Sequence, residues 1–356
     1  MITLAQLCEL SRIGESLNDQ VIDFDLDGQD LSAMTFQEVT FKQVSIKSAN
    51  LAEAVFFQCR FEQCDLSSSN LTLALFTNCH MQECNIANGI LDVTQFNEST
   101  LANCNFEHIT SENSVFRKCN MQGCRVLFEH NVMTLMDDND LTDADLSGNL
   151  LEQFTFTHCD LTQLAWADTG FDRTVFFECH MDGVDLSRRR LQACQFIDSS
   201  LKGAKFSQAE LPQCSFKGCQ LQAADFQGAM APNTLFPLAD LTGADFSDAQ
   251  LHQTLWPESC LADCNFSRAL LDMSVFHQAN CENANFSQSD LSFSDFTGAN
   301  LSGILWIQTT FSRTRLHRAL VTDVSLKKQS GVIEKDPEFF EAELFSAHLQ
   351  SGANWS

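Results

Sequence analysis

Residues 221–250 read LQAADFQGAMAPNTLFPLADLTGADFSDAQ. Every fifth residue here is apolar: Leu221, Phe226, Ala231, Phe236, Leu241 and Phe246. Two places before these centres stand small residues such as Ala224, Ala239 and Ala244, and Asp often fills the place between. Worked outward, the same phase runs from Val21 to Leu326, 62 positions without a slip. Only Ser111, Asn131, Ala231 and Cys281 are not Leu, Phe, Ile, Met, Val or Trp. A period of five fits neither an α-helix at 3.6 nor a strand at two.

The units ADLSG at Ala144, ADFQG at Ala224, ADFSD at Ala244, ANFSQ at Ala284 and SDFTG at Ser294 resemble the pentapeptide-repeat family, whose pattern is A-(D/N)-L-x-x. The resemblance covers residues 19–328. It implies an all-β chain folded as a right-handed quadrilateral β-helix, in which four pentads make the four sides of one coil. Centres and the small residues before them point inward, and the other three places face solvent. Such repeats bury their apolar side only by stacking on neighbours. About 15 coils at roughly 4.8 Å make a rod on the order of 70 Å long. The expected organisation is an N-terminal cap over 1–20, a β-helix over 21–328 and a C-terminal helical cap or dimerisation tail over 329–356.

A second period of twenty lies inside the first. Phe36, Phe56, Phe76, Phe96 and Phe116 begin a column that continues to Phe296, with Met136 and Trp256 filling gaps. Of 31 Phe, 22 sit at centres, so the aromatic excess is core filling. Thirteen of 16 Cys occupy the small inward place, where free thiols act as small hydrophobes. Their spacing of five is not that of common zinc sites, and no metal or cofactor is expected. Cys8, Cys260 and Cys281 fall outside the rule, with Cys260 the expected exposed thiol. The pattern weakens over 107–140, where Glu129 and Asn139 take the small place. A loop or a bulged side fits there.

The chain carries 47 acidic and 21 basic residues, a net charge of −26. That excludes a nonspecific grip on nucleic acid, which needs Lys and Arg. No apolar run approaches the roughly 20 residues of a membrane span, and no secretory leader is visible. A cytoplasmic protein is expected, with secretion by a leaderless route left open. Glu129 to Asp185 holds 13 acids against Arg173 alone. Within this belt Asp137, Asp138, Asp140, Asp143, Asp145, Asp160, Asp182 and Asp185 are the candidate partner-binding residues. Asp140, Asp160 and His180 should stack on one corner.

In the tail, Asp336 and Pro337 suit a helix start. Phe339, Phe340, Leu344 and Phe345 give an apolar stripe for a cap or a homodimer contact. No phosphate loop, nucleophile elbow or metalloprotease helix is present, and flat walls lack a catalytic pocket. The expected function is a non-enzymatic scaffold, an acidic rod that binds a protein. The resemblance adds two finer expectations: association with a bacterial secretion system, or mimicry of DNA toward gyrase or a related topoisomerase.

Overall fold

The computed structural model describes residues 2–323, 325–337, 340 and 341. Backbone pairing links positions about twenty apart throughout, as in Asp30↔Asn50↔Asn70 and Asp225↔Asp245↔Asn265, always parallel. The protein is the expected four-sided parallel β-helix, of about 16 turns.

Each pentad ends in a corner. Two places after the centre the backbone is left-handed, with φ of 56° at Glu38, 54° at Gln43 and 54° at Ser48. That conformation costs an L-residue about 1–2 kcal/mol. Two features offset it. The corner amide bonds the next coil, as in Glu38 N to Phe57 O at 2.9 Å. The centre and the small residue also turn inward and are buried.

The chain forms two compact units. The first comprises residues up to Val184 plus Arg189–Ser200, and the second Asp185–Arg188 plus the chain from Leu201 onward. The first unit opens with a helix, Leu4–Ile13, closed by a capping box between Thr3 and Gln6 and by Gly14 at φ 72°. Leu7 is its buried contact. Two- and three-residue strands then build a ten-stranded parallel sheet, running from Leu17–Asn18 through Val115–Arg117 to Gln195–Ile197. A four-stranded sheet from Val21–Ile22 to His80–Gln82 makes part of another wall. The second unit has almost no strands. Its pentads are tight turns closed by bonds such as Ala224 N to Leu221 O at 3.0 Å and Ala244 N to Leu241 O at 2.8 Å. A short pair, Thr314–Arg315 with Val332–Ile333, is its last rung among the described residues.

The Phe column is present in each unit. Phe56 and Phe76 stack at 4.6 Å, and Phe236 stacks on Trp256 at 4.1 Å. A second column runs Phe206, Phe226, Phe246, Phe266, Phe286 at 4.6–5.0 Å. Adjacent columns meet edge to face, as Phe226 meets Phe236 at 5.9 Å. This geometry suits the ring quadrupoles.

Several local expectations change. Val21 is not a centre: it is 48% exposed, and Ile22 is fully buried instead. Leu17 pairs with Phe36 and Ile22 comes opposite Phe41, so the first coil has nineteen residues. The weak stretch is a coil side, not a loop. Strands Asn105–Glu112 and Arg125–Val132 pair in parallel, with Ile109 opposite Phe128 and Thr110 opposite His130. Glu129 is therefore the extra residue of a β-bulge. Phe128 turns inward in its place and packs on Phe154 at 5.8 Å. The polar centres are satisfied: Ser111 bonds Thr134 Oγ1 at 2.8 Å, and Asn131 donates to Leu150 O at 2.7 Å. Cys281 is a fully buried centre, and Cys260 is half-buried beside Thr242 Oγ1, not exposed.

At the C-terminal end, Asp336 is buried and its carbonyl accepts from Phe340 N at 3.0 Å, as a helix start requires. Phe340 is 47% exposed. Phe339, Leu344 and Phe345 lie outside the described residues.

Candidate protein-binding surfaces

The small inward residues do more than replace alanine. The Cys59 thiol donates to Phe36 O at 3.3 Å, Cys64 to Phe41 O at 3.3 Å, and Cys79 to Phe56 O at 3.3 Å. Thr94, Thr174 and Ser199 use their hydroxyls identically, each on the carbonyl twenty-three residues earlier. That carbonyl belongs to the preceding centre one coil away. These thiols are enclosed in the core. Burial pushes Cys119 and Cys159 up to about 11, and Cys124 and Cys179 up to about 12.

The acidic belt divides by role. Asp140, Asp145, Asp160 and Asp185 each stand just before a centre. Each accepts from the amide two residues on, at Thr142, Ser147, Thr162 and Ser187, with distances of 2.9–3.0 Å. These carboxylates brace their own turns. Partial burial works against the charge of Asp160, yet the Thr162 hydroxyl and amide hold it below the usual carboxylate range. Asp182 accepts from Ser200 Oγ at 2.6 Å. Asp137 is mostly covered and gathers Arg117 Nε at 3.1 Å, Thr157 Oγ1 at 2.7 Å and His158 Nδ1 at 3.1 Å. Against its own burial, these partners, His158 foremost, lower its pKa. The Asp137 contact in turn raises that of His158. Asp138 and Asp143 sit exposed at left-handed corners, with no ion pair on their carboxylates among the described residues.

The eight residues are thus not one constellation. They lie on three walls, those centred on Met136, Leu141 and Leu146 and the pentads stacked with them. Asp160 and His180 do pair across coils, and His180 Nε2 is 3.9 Å from Asp182. Among the described residues no group of three His, Cys, Asp or Glu could hold a metal ion. Just beyond the belt, Arg188 bonds Gln208 at 3.1 Å and Arg189 lies 3.5 Å from Asp168. A hollow of about 560 Å³ lies by Leu10, Leu17 and Glu9 at the N-terminal helix. It offers one carboxylate and no histidine or thiol.

Sequence reasoning missed one surface. On the ten-stranded sheet the place before each centre carries no acid or amide brace. Val55, Leu75, Val115, Leu135 and Val175 stand there, outward and half-buried, in one register with Thr35, Gln95, Thr155 and Gln195. The signal was present: this column alone lacks the Asp or Asn that marks the others in the first unit. Val55, Val115, Thr155 and Val175 are β-branched, which suits the extended backbone of their strands.

Two family models match the sequence. One described as pentapeptide repeats (8 copies) matches residues 54–91, 94–126, 259–303 and 289–327. One described as pentapeptide repeat region matches 149–226 and 189–261. The chain belongs to the pentapeptide-repeat family. Solved structures similar to this pentapeptide-repeat protein include a trypsin-treated variant of QnrB1, a plasmid-mediated fluoroquinolone resistance protein. It is 22% identical over 74% of this chain and 98% of its own, with a TM-score of 0.37. Rfr23 from the cyanobacterium Cyanothece 51142 is 16% identical over 44% of this chain and 91% of its own, with a TM-score of 0.25. HetL from Nostoc sp., involved in heterocyst differentiation regulation, is 14% identical over 89% of this chain and 98% of its own, with a TM-score of 0.15. No curated protein matches the sequence. No described helix is long and apolar enough to cross a membrane.

Proposed function

We propose that this pentapeptide-repeat protein is a non-enzymatic scaffold whose walls bind a protein partner. One observation carries the reading: outward side chains are fixed in place by a backbone paired to the coils around it, while the buried thiols and hydroxyls are spent on the core. Such a surface is preorganised for binding, which lowers the ordering cost of association. The free carboxylates of Asp138 and Asp143 are its charged contacts.

The test is affinity capture on the full chain at low salt and at high salt, with mass spectrometry. A single stoichiometric partner, lost on Asp138→Asn with Asp143→Asn, supports the scaffold. No partner above background at either salt sinks it. A bacterial secretion-system component is the finer form of this proposal, and the same capture tests it. A cytoplasmic location is proposed with it.

A second reading is DNA mimicry toward gyrase or a related topoisomerase. Its support is the negative charge on three walls, from Asp137, Asp140 and Asp145 among others. A supercoiling assay with a fluoroquinolone tests it, and no protection at excess protein removes it. Self-association through the C-terminal tail stays a proposal for sedimentation measurements on the full chain and on a chain ending at Gly331.

A further inference from the structure

We infer that the outer face of the ten-stranded sheet is a docking surface for a basic amphipathic helix of a protein partner; this rests on the scaffold reading and names its site. The face is more apolar than the neighbouring walls, although Gln95, Asn97 and the Arg117–Asp137 pair interrupt it. Beside the outward stripe of valines and leucines, Phe57 is 37% exposed. Along one corner of the same face, Leu73, Val93 and Met133 are 50%, 38% and 51% exposed. These three hold left-handed backbone, with φ of 62°, 59° and 55°. A β-branched residue is a genuine outlier there, and Asn or Gly would fold more easily. Similar exposed corners recur in the second unit at Leu238, Met273 and Phe293; here they lie beside the outward apolar stripe and enlarge it.

The opposite corner sets the charge of the occupant. Glu38, Glu98, Asp138, Glu178 and Asp198 stand along it, against Lys118 and His158. A partner matching this surface has an apolar ridge flanked by Lys or Arg. It cannot join as a strand, because the interior rungs are paired on both sides. Side-chain packing alone remains. Rungs repeat about every 4.8 Å and helix turns about every 5.4 Å, so a helix laid along the column meets nearly one rung per turn.

The probe is an 18-residue Leu/Lys amphipathic helical peptide, compared with a scrambled peptide of equal composition and a Leu/Glu peptide of equal pattern. Binding to the full chain is read by fluorescence anisotropy near physiological salt. The patterned Leu/Lys peptide should bind about tenfold tighter than the scrambled one, and Leu73→Asp with Met133→Asp should erase that margin. Asp already occupies such corners at Asp138 and Asp143, and Leu73→Asn with Met133→Asn gives a neutral second variant. Asp263→Asn, at an exposed corner of the second unit, should leave the margin intact. Equal binding of the scrambled peptide overturns the assignment, as does an unchanged margin in both double variants. So does a homodimer that these variants dissociate, which would make a second copy the occupant. A captured partner that the variants still hold overturns this face while leaving the scaffold standing.

Discussion

The two units solve one packing problem differently. In the second, Ala204, Ala209, Ala224, Ala229, Ala244 and Ala249 fill the small place and every side from Lys205 to Leu305 closes as a tight turn. In the first, strand sides are followed by Val39, Val44, Cys59, Cys64, Cys79, Thr134, Asn139 or Phe154, never by Ala. Ala goes only with the turn, whereas Cys and Thr follow either form, as Cys214 and Thr234 follow turns. Asn149 donates to Val126 O at 2.9 Å and Leu146 O at 2.7 Å, and accepts from Phe128 N at 2.8 Å, beside the bulge. Asn139 likewise spans Phe116 O and Cys119 N, at 2.8 and 2.7 Å. Uniform turns give a plain wall; an opened wall gives a distinctive one.

The largest expected effect breaks the common core. Trp256 is fully buried and donates its Nε1 to Thr254 Oγ1 at 2.8 Å. Trp256→Ala should cost about 3–5 kcal/mol, read as a lower urea midpoint by circular dichroism. Met136→Ala, at the matching gap of the first unit's column, should cost about 2–5 kcal/mol. A negligible loss at either place would mean that stacking does not stabilise that unit.

Asn149→Ala sharpens the difference between the units. It strands buried backbone groups and should cost about 1–3 kcal/mol. Placing Asn where the second unit has Ala, as Ala224→Asn, should also destabilise, by about 1–3 kcal/mol through overpacking. If Ala224→Asn is neutral in the same urea titration, the tight turns are less exacting than argued.

Acid should act on the second unit through Asp295, which is 7% exposed and lies 3.2 Å from His277. Burial opposes its charge, but the Thr297 hydroxyl and amide and His277 lower its pKa below 3.8. A lowered carboxylate stabilises above its unfolded value, and the gain is lost as pH falls through the folded value. Asp295→Asn should therefore flatten acid unfolding below pH about 4, followed by circular dichroism. An unchanged acid limb would remove Asp295 from that role.

Smaller still is the surface cluster of the first unit. His158 has a raised pKa, so its contribution is full below about 6.5 and is lost as pH rises through the folded value. His158→Ala should lower stability at pH 6 by less than about 1 kcal/mol, as exposed pairs do. It should change nothing at pH 8.5. Equal effects at both pH values would show that packing on Phe177, 5.8 Å away, matters more than charge.

The cysteines serve as a check on both units at once. Fourteen of the sixteen are buried, with Cys8 and Cys260 half-covered. At pH 8 a thiol reagent should label no more than these two before unfolding. Rapid labelling of more would contradict the packing.

Much of this was legible in the chain itself. The five-residue period placed Phe36 to Phe296 in a column because inward direction is set locally by each corner. The inward Cys residues were readable for the same reason. Asp138 and Asp185 were both read as partner-binding residues, yet one carboxylate faces solvent and the other braces Ser187. The bulge at Glu129 was visible as a weak match, but not which neighbour would turn inward.

The sequence by itself determined the coil period, the inward residues and the identity of the core. Only the tertiary structure decided that Ile22 displaces Val21, that Phe128 replaces Glu129, which walls open into strands and which acids stay free. A pentad's direction depends on its own five residues. Its register and its outward role depend on hydrogen-bond partners about twenty residues away, and those become neighbours only when the coils stack.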